Sequence, residues 1–545
     1  MKRIRILFFV VLLFLFFTVP VTVKGYENEK IYCEATVNDE FSLDTIVLIL
    51  TKEETFKFNE YYPGHFSNVC CLNVTDITGY TKEFVEKITD LNRLEKLKTV
   101  LKLKVSEIEI ETENDLIFAK QRILNFISLL SKLNYVYYAG VDYVYDLCDD
   151  DIDEIINYDA NGLAYDCIGV TEAWSFSTGS SDVKVGVIDT GIHFEHSYLQ
   201  NKIDQSLSMS FSEIYDDPLI DEVGHGTNVA GLIGASYNES NHMIGICQNV
   251  SIVSLKVCDE VNGELKPVSS NISEAINYAS DNEIPILNMS LVLVSSDNDL
   301  LLELAIDNYP GLIVCGAGNT DSNLDYNYKY PACYDNDNIL VVGASNRAAE
   351  AVRYSTSCYS DNFVDLFAPG DHLVTTANDG QYTTFLGTSG ATAVVTGAAA
   401  LIKSYRSYFT PFEIKKCIIS TVDVSSFLTS FCVSDGRLNI GRALSQCDNY
   451  HSHTYSARYT YKNSTHHRVI CPCGFIGDLP HAVLIGTSTC VDCHSNVGNG
   501  FIGISLNNYN EQNGSVILDN SIIMLTEEDL INYYYNNDFL KNLFN

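Results

Sequence analysis

Short runs of β-branched and other apolar residues alternate with stretches of helical pattern between about residues 158 and 447. Continuous apolar runs separated by helices are typical of buried strands in a parallel sheet with helices on both faces. We therefore predict an α/β fold here, a doubly wound parallel sheet. Ligands bind at the carboxyl ends of the strands in such sheets, so the residues that follow each run are the first functional candidates. The predicted strands include residues 183–188, 252–257, 284–287 and 312–314.

Asp189 and His225 are the first pair of candidates. Asp189 follows the predicted strand 183–188 in Val-Ile-Asp-Thr-Gly, and His225 lies in Gly-His-Gly-Thr-Asn-Val-Ala-Gly, where a helical pattern of small residues begins. Each has an alternative, because Asp-Thr-Gly is also the half-site of aspartic proteases and a histidine at a helix start needs no chemical role. An aspartic protease requires two such carboxylates. No second Asp-Thr-Gly or Asp-Ser-Gly occurs in the sequence, which counts against that class.

Asn319 and Ser389 are the second pair. Asn319 ends Leu-Ile-Val-Cys-Gly-Ala-Gly-Asn, where its amide could donate to a developing oxyanion, although turn asparagines are common. Ser389 lies in Gly-Thr-Ser-Gly-Ala-Thr-Ala, between a predicted strand at 382–386 and a predicted helix at 391–403. Unpaired N–H groups and the helix dipole stabilise negative charge at a helix start. A helix-capping serine is the alternative.

These motifs occur in the order Asp, His, Asn, Ser, and Asp before His before Ser is the chain order of subtilisin. The chain resembles the subtilisin-like serine proteases over about residues 160–445. The secreted, Asn- and Tyr-rich character is similar to the secreted subtilisins of apicomplexan parasites. Further stretches similar to the family occupy residues 287–291, 330–332, 342–344, 367–370 and 397–400.

The resemblance implies that residues 158–447 form the catalytic domain of a serine endopeptidase that acts on protein or peptide substrates and requires no cofactor. Ser389 would be the nucleophile and His225 the general base, while Asp189 would hold the imidazole tautomer. Asn319 and the Ser389 N–H would bind the oxyanion. The residues implied to bind substrate are Ser290, Leu291, Val292, Gly316, Ala317 and Gly318.

The chain departs from the family pattern close to these residues. Asn228 replaces a histidine, Gly390 a methionine and Ala393 a proline. Val292 stands where the family usually has glycine, which would narrow the substrate cleft. These departures motivate an alternative function from another class, a catalytically inactive scaffold that binds peptides in the same cleft.

The net charge argues against nucleic acid as a partner, and the residue types at candidate ligand positions bear on calcium binding. The sequence has 70 acidic against 34 basic side chains and a formal charge of −36, so it repels phosphate backbones and nucleic acid is not an expected partner. Calcium binding is compatible with the resemblance, but the ligands of a metal site are not assignable. Tyr198 stands where a calcium-binding aspartate is common, whereas Asn238 could still ligate.

Residues 1–25 have the pattern of a secretory signal peptide, with a basic start, an apolar run at 6–17 and then Pro20. An uncleaved membrane anchor is the alternative, because the apolar stretch nearly reaches the ~20 residues that span a bilayer. We favour cleavage on this pattern, and because no later segment is long and apolar enough to span a bilayer, the product without its signal is expected to be soluble. The product is then expected to be secreted or to lie in the lumen of a secretory organelle.

Residues 26–150 predict a small α+β unit. The resemblance implies that this unit is an inhibitory propeptide of a zymogen, with residues 138–144 similar to the propeptide's final strand. The acidic segment 148–154 has the composition of an exposed linker. The predicted elements are strands at 44–51 and 135–145 and helices at 81–104 and 116–133.

The 17 cysteines, an odd number, predict several disulfides in an oxidising compartment and at least one unpaired thiol. Residues 448–545 form a Cys-containing tail of unknown fold. Its Cys-x-Cys and Cys-x-x-Cys pairs permit zinc, although secretion favours two disulfides; they are Cys471, Cys473, Cys490 and Cys493. The sequons that predict a glycoprotein are at Asn73, Asn238, Asn249, Asn271, Asn288, Asn463 and Asn513, of which Asn288 is expected to be buried.

Overall fold

The computed structural model describes residues 33–50, 71–76, 100–105, 110, 112–132, 136–147, 161–237, 243–261, 264–293 and 298–451, and short tail strands between 460 and 480. The predicted signal peptide, the acidic linker, Asn238 and the tail cysteines lie outside the described residues. None of the helices within these ranges has the length and apolar character needed to cross a membrane.

The first unit is an antiparallel sheet with one helix packed on it. Its elements are β1 (Phe41–Leu50), β2 (Cys71–Asp76), β3 (Val100–Val105), α1 (Glu113–Leu130), β4 (Val136–Tyr143) and the short β5 (Tyr145–Leu147). The sheet order is β2-β3-β1-β4. Helix α1 buries Ile123, Ile127 and Leu130 in one apolar cluster with Leu48 of β1, because residues three or four positions apart share a helix face. That the unit acts as a propeptide stays a prediction.

The predicted helix at 81–104 is wrong over its last residues, which form strand β3. Residues 100–104 were expected to end a helix that begins at 81, but Val100–Val105 pairs with both β1 and β2. Leu101 and Leu103 face the apolar cluster and alternate with Lys102 and Lys104. This period of two is the pattern of a strand with one apolar face, and the two lysines on the other face concealed the strand in the sequence.

The second unit contains a nine-stranded sheet. The strands from here to the tail are β6 (Lys184–Asp189), β7 (Met209–Ser210), β8 (Ser251–Lys256), β9 (Cys258–Val261), β10 (Glu264–Pro267), β11 (Ile286–Met289), β12 (Leu291–Leu293), β13 (Leu312–Gly316), β14 (Ile339–Ser345), β15 (Leu366–Pro369), β16 (Leu373–Thr376), β17 (Tyr382–Phe385), β18 (Asp423–Val424), β19 (Gly436–Arg437), β20 (Thr460–Tyr461), β21 (His466–Ile470) and β22 (Ile476–Pro480). The order is β18-β19-β15-β14-β13-β11-β6-β8-β7. Every pair is parallel except β18 with β19. The predicted α/β fold is confirmed.

Helices cover the sheet and form two large apolar clusters with it. The helices are α2 (Gly162–Asp166), α3 (Val170–Trp174), α4 (His225–Gly234), α5 (Ser269–Asp281), α6 (Leu300–Asn308), α7 (Thr388–Tyr405), α8 (Pro411–Ser420) and α9 (Ile440–Gln446), and a 3₁₀ turn (Cys447–Tyr450) follows. Helix α7 packs against α4 and strands β11, β13, β14 and β15. All of its residues from Thr388 to Ile402 are buried. Small side chains permit this approach: a Cβ on Gly397 would lie 2.6 Å from Ile246 Cβ.

Two of the three described sequon asparagines in the second unit are buried. Asn288 is 0% exposed, as expected, and Asn271 is also buried, at 1%. The Asn271 side chain is held by Lys102, Val257 and Asp259. Neither asparagine is accessible for glycosylation in the folded chain, whereas Asn249 is exposed.

The described cysteines of the second unit do not form the predicted disulfides. Burial raises the pKa of the Cys247 thiol to about 12 and that of Cys167 to about 11. A raised pKa keeps these thiols neutral, and they pack as small apolar side chains. The expectation of several disulfides is therefore wrong for this unit. The free thiols are Cys167, Cys247, Cys258, Cys315, Cys333, Cys358, Cys417, Cys432 and Cys447.

Alkylation of the denatured, unreduced protein should therefore modify Cys315, Cys417 and the other core cysteines, because each is a free thiol in the folded chain. The four tail cysteines should require reduction first, because the secretory compartment is oxidising. Peptide mass mapping with and without reductant measures which core and which tail cysteines are alkylated. Core cysteines that react only after reduction would contradict the structure, and zinc release from four tail thiols would overturn the tail prediction.

Candidate active site

Asp189, His225 and Ser389 form a continuous hydrogen-bonded row. His225 Nδ1 lies 2.7 Å from Asp189 Oδ1, and His225 Nε2 lies 3.0 Å from Ser389 Oγ. A carboxylate only accepts hydrogen bonds, so Nδ1 carries the proton and Nε2 is free to accept from the serine hydroxyl. All three residues are buried. The arrangement is that of a nucleophile, a base and a group that orients the base.

Local turns bring these residues together. Asp189 ends the central strand β6, and His225 is the first residue of α4. Gly224 before it has φ of 101°, a left-handed value that favours glycine. A Cβ on Gly226 would lie 2.1 Å from Gly191 O and 3.1 Å from Asp189 Cβ. The two glycines that flank the histidine are therefore required for its approach to the carboxylate.

Ser389 and Asn319 lie together at the start of α7. Asn319 Oδ1 accepts from Thr388 N at 3.0 Å, which fixes the direction of the amide. Its Nδ2 is buried and donates to no acceptor among the residues that the structure describes. A Cβ on Gly387 would lie 2.3 Å from that Nδ2, so the glycine, with φ of 86°, leaves room for it. The amide and the helix N-terminus are both available to an anionic oxygen beside Ser389.

The predicted substrate-binding residues flank Ser389 at the carboxyl ends of β11 and β13. Ser290 follows β11, and its carbonyl oxygen lies 3.5 Å from Ser389 Oγ. Gly316 ends β13, and Ala317 and Gly318 follow it. A Cβ on Gly318 would lie 3.5 Å from the Val292 side chain, so these two segments face each other across a narrow space.

Strand β5 of the first unit lies along one wall of this space. It pairs antiparallel with β12, with Leu147 opposite Leu291, Asp146 opposite Val292 and Tyr145 opposite Leu293. An extended segment that adds to a free strand edge is a common way of binding a peptide. The wall that carries Leu291 and Val292 is therefore shaped to hold an extended chain.

Asp221 is a buried residue of the site that the sequence prediction missed. Its Oδ1 accepts from Thr190 Oγ1 at 2.8 Å and from Gly224 N at 2.7 Å. Its Oδ2 accepts from Thr227 N at 2.9 Å and Thr227 Oγ1 at 2.6 Å. Asp221 thus joins the turn after Asp189 to the first turn of α4. The signal for it was a carboxylate four positions before the histidine, where Asp often accepts from backbone N–H groups at a helix start.

Lys256, at the end of β8, holds the loop that carries Asp221. Its side chain is 0% exposed, and its ammonium group donates to Ile220 O at 2.9 Å and contacts Glu222 at 2.5 Å. The same group lies 5.3 Å from the centre of the Tyr215 ring, within the range of a cation–π contact. The loop is therefore fixed on both sides of Asp221.

Tyr198 stands where a calcium-binding aspartate is common in the family, and its surroundings are aromatic. Tyr198 packs against His196 and Tyr382 in an aromatic cluster and supplies no carboxylate. Within the described ranges, no three His, Cys, Asp or Glu side chains lie close enough together to hold a metal. Asn238, the other candidate ligand, lies outside them.

The comparisons with known proteins agree with this geometry. Residues 180–458 match the subtilase family. A thermophilic serine proteinase of Bacillus sp. (strain AK1) is 32% identical over 274 residues, which are 49% of this chain and 63% of that protein. The major intracellular serine protease of Bacillus subtilis (strain 168) is 34% identical over 44% of this chain and 73% of its own length. Subtilisin-like protease 2 of Plasmodium falciparum is 29% identical over 45% of this chain and 19% of its own length.

Asp221→Asn should lower kcat/KM about 10- to 100-fold and destabilise the fold by about 1–3 kcal/mol, because the new amide NH₂ would face N–H or hydroxyl donors in a buried site. Asp216→Asn is the matched control, since Asp216 lies on the same loop and is exposed. Peptide hydrolysis and thermal unfolding of both variants measure the two effects. Equal activities in the two variants would contradict a positioning role for Asp221.

Proposed function

Because the chain belongs to the subtilase family of serine endopeptidases, we propose that Asp189, His225 and Ser389 are the catalytic triad of a secreted peptidase that is made as a self-processed zymogen. The observation that carries the proposal is the hydrogen-bonded row from Asp189 through His225 to Ser389. The alternative, an inactive scaffold, is less favoured because Gly390 and Ala393 leave Ser389 within 3.0 Å of the base.

The chemistry follows from the positions of the protons. Ser389 Oγ attacks the substrate carbonyl carbon as His225 Nε2 takes the hydroxyl proton. Asp189 stabilises the resulting imidazolium through Nδ1–H. The carbonyl oxygen becomes an oxyanion, which the Asn319 amide and the Ser389 N–H stabilise. His225 then gives its proton to the leaving amine, and water releases the acyl group by the reverse roles.

Contacts between the two units support the zymogen part of the proposal. The buried carboxylate of Asp142 accepts from Ser270 N at 2.9 Å and Ser270 Oγ at 2.7 Å, at the N-terminus of α5, where negative charge is favourable. Lys102 and Lys104 each lie 3.1 Å from Glu213. With β5 on β12, the first unit would block the entry of a peptide substrate and act as the chain's own inhibitor.

Family membership does not imply secretion, because one of the relatives is named as an intracellular protease. The proposed secreted location therefore rests on the sequence of residues 1–25. A glycosylated product is compatible with the exposed Asn249. No step of this mechanism requires a metal.

Ser389→Ala should keep the full chain at its unprocessed length when it is expressed and purified without other proteases. The parent chain should be cut between about residues 146 and 160, directly after β5, to give a core and a separate inhibitory unit. Intact mass and labelling with a fluorophosphonate probe measure processing and the nucleophile. Processing of the Ser389→Ala chain at the same site would rule out autocatalysis, and a matured parent chain that never labels would favour the inactive scaffold.

Asn319→Ala should lower kcat far more than it raises KM, because the amide acts mainly on the oxyanion of the transition state. The expected loss is about 10²- to 10³-fold, a magnitude measured on subtilisin itself. Steady-state kinetics with a peptide substrate provide the test. An unchanged kcat with a raised KM would assign Asn319 to substrate binding instead.

A further inference from the structure

Tyr145 fills a closed pocket at the end of the β12 wall. It is 0% exposed and pairs with Leu293, and it belongs to the same apolar cluster as Leu291, Leu293 and Leu302. Its hydroxyl donates to Asp299 Oδ2 at 2.8 Å. The ring is therefore enclosed by apolar side chains, and the hydroxyl ends on a buried carboxylate.

Asp299 is held rigidly by its own unit. It is the N-cap of α6, where Oδ1 accepts from Leu301 N at 3.1 Å and from Leu302 N at 3.2 Å. Oδ2 also accepts from Ser269 Oγ at the start of α5. Tyr334 OH donates to the Asp299 backbone carbonyl at 2.8 Å. The pocket is thus built by α5, α6 and β12 and does not require the first unit for its polar end.

The pocket lies on the path that a substrate would take. Ser290, which contacts Ser389, directly precedes β12, and Leu147, Asp146 and Tyr145 pair with successive residues of β12 away from Ser389. A peptide that adds to the same strand edge repeats this register, because main-chain hydrogen bonds set it. The substrate residue opposite Leu293 would then point where Tyr145 points, since side chains alternate along a strand.

We propose that the pocket ending at Asp299 is a specificity site that selects substrates with tyrosine at the position opposite Leu293. This inference rests on the proposed function and names the substrate class of that site. Tyrosine fills the apolar walls and donates to Asp299, whereas phenylalanine leaves the buried Oδ2 with one donor fewer. Aliphatic side chains also leave part of the cavity unfilled. Sites that hydrogen-bond a substrate hydroxyl discriminate strongly against analogues that lack it.

The ionisation of the two groups is consistent with this role. Burial, reinforced by the charge of Asp299, raises the pKa of the Tyr145 phenol, so the hydroxyl keeps its proton and remains a donor. Burial also raises the pKa of Asp299, while Ser269, Tyr145 and Leu302 oppose the shift by donating to the carboxylate.

The substrate side provides the first test. The matured protein is given internally quenched peptides with the sequence of residues 141–152, carrying Tyr, Phe or Leu at position 145. We expect kcat/KM to be at least about tenfold higher for Tyr than for Phe, because a hydrogen bond to a charged group is lost, and lower again for Leu. Phe at position 143 is the matched control and should change little. Equal values for Tyr and Phe at position 145 would overturn the proposal.

The enzyme side provides the second test. Asp299→Ser retains a helix-capping residue but removes the oxygen that accepts from the phenol, so the Tyr-to-Phe ratio of kcat/KM should fall to about one, whatever the variant's absolute activity. A ratio that stays at tenfold would assign the preference to another residue. Because peptide substitution needs no altered enzyme, the first test stands even if Asp299→Ser fails to fold.

A separate measurement distinguishes failure of this inference from failure of the proposed function. If no peptide is cut and Ser389 does not label with a fluorophosphonate, the proposed function fails. Binding of the same fluorescent peptides, measured by anisotropy, then tests the pocket without catalysis. Tighter binding of the Tyr peptide by about tenfold would support the pocket, and equal binding of the Tyr and Phe peptides would reject it.

Discussion

The burial of helix α7 against the parallel sheet is the constraint on which the site depends. Residues Thr388–Ile402 are removed from solvent, so the helix cannot shift without separating packed surfaces on both sides. Its first turn carries Ser389, and its N-terminal N–H groups face the space beside Asn319. Because α4 packs on the same helix, the distance between His225 and Ser389 is determined by the core rather than by the loops.

Buried carboxylates at helix starts recur through the structure and hold the site together. Asp221 joins the turn after Asp189 to α4, Asp142 connects the first unit to α5, and Asp299 caps α6. Each is satisfied by several donors, which is required when charge is removed from water. Strand β12 would have two partners, because the edge that would bind substrate also pairs with β5. Inhibition and substrate selection would then use the same contacts.

Local pattern was sufficient for the fold class, and the residues of the row followed from local motifs together with their chain order and resemblance to the subtilisin-like family. The apolar runs of the second unit predicted a parallel sheet, and the glycine-flanked motifs around Asp189, His225 and Ser389 placed each residue after a strand or at a helix start. Short-range sterics explain why these positions could be predicted. The turns at Gly224 and Gly387 have positive φ values, which favour glycine, so the glycine in the sequence marks the turn. Replacement of the family proline by Ala393 left α7 continuous from Thr388 to Tyr405.

The sequence by itself thus determined the parallel fold, the order of the chemical groups and the strand ends at which they occur, because these depend on neighbours within a few positions. Only the tertiary structure decided which distant groups meet. Tyr145 and Asp299 are 154 positions apart, and no periodicity relates them. The same holds for the thiol state of the core cysteines and for strand β3, where pairing with β1 and β2 outweighed a helical pattern. Contacts of this kind arise from the packing of whole elements, whose energies depend on three-dimensional neighbours that a local pattern does not contain.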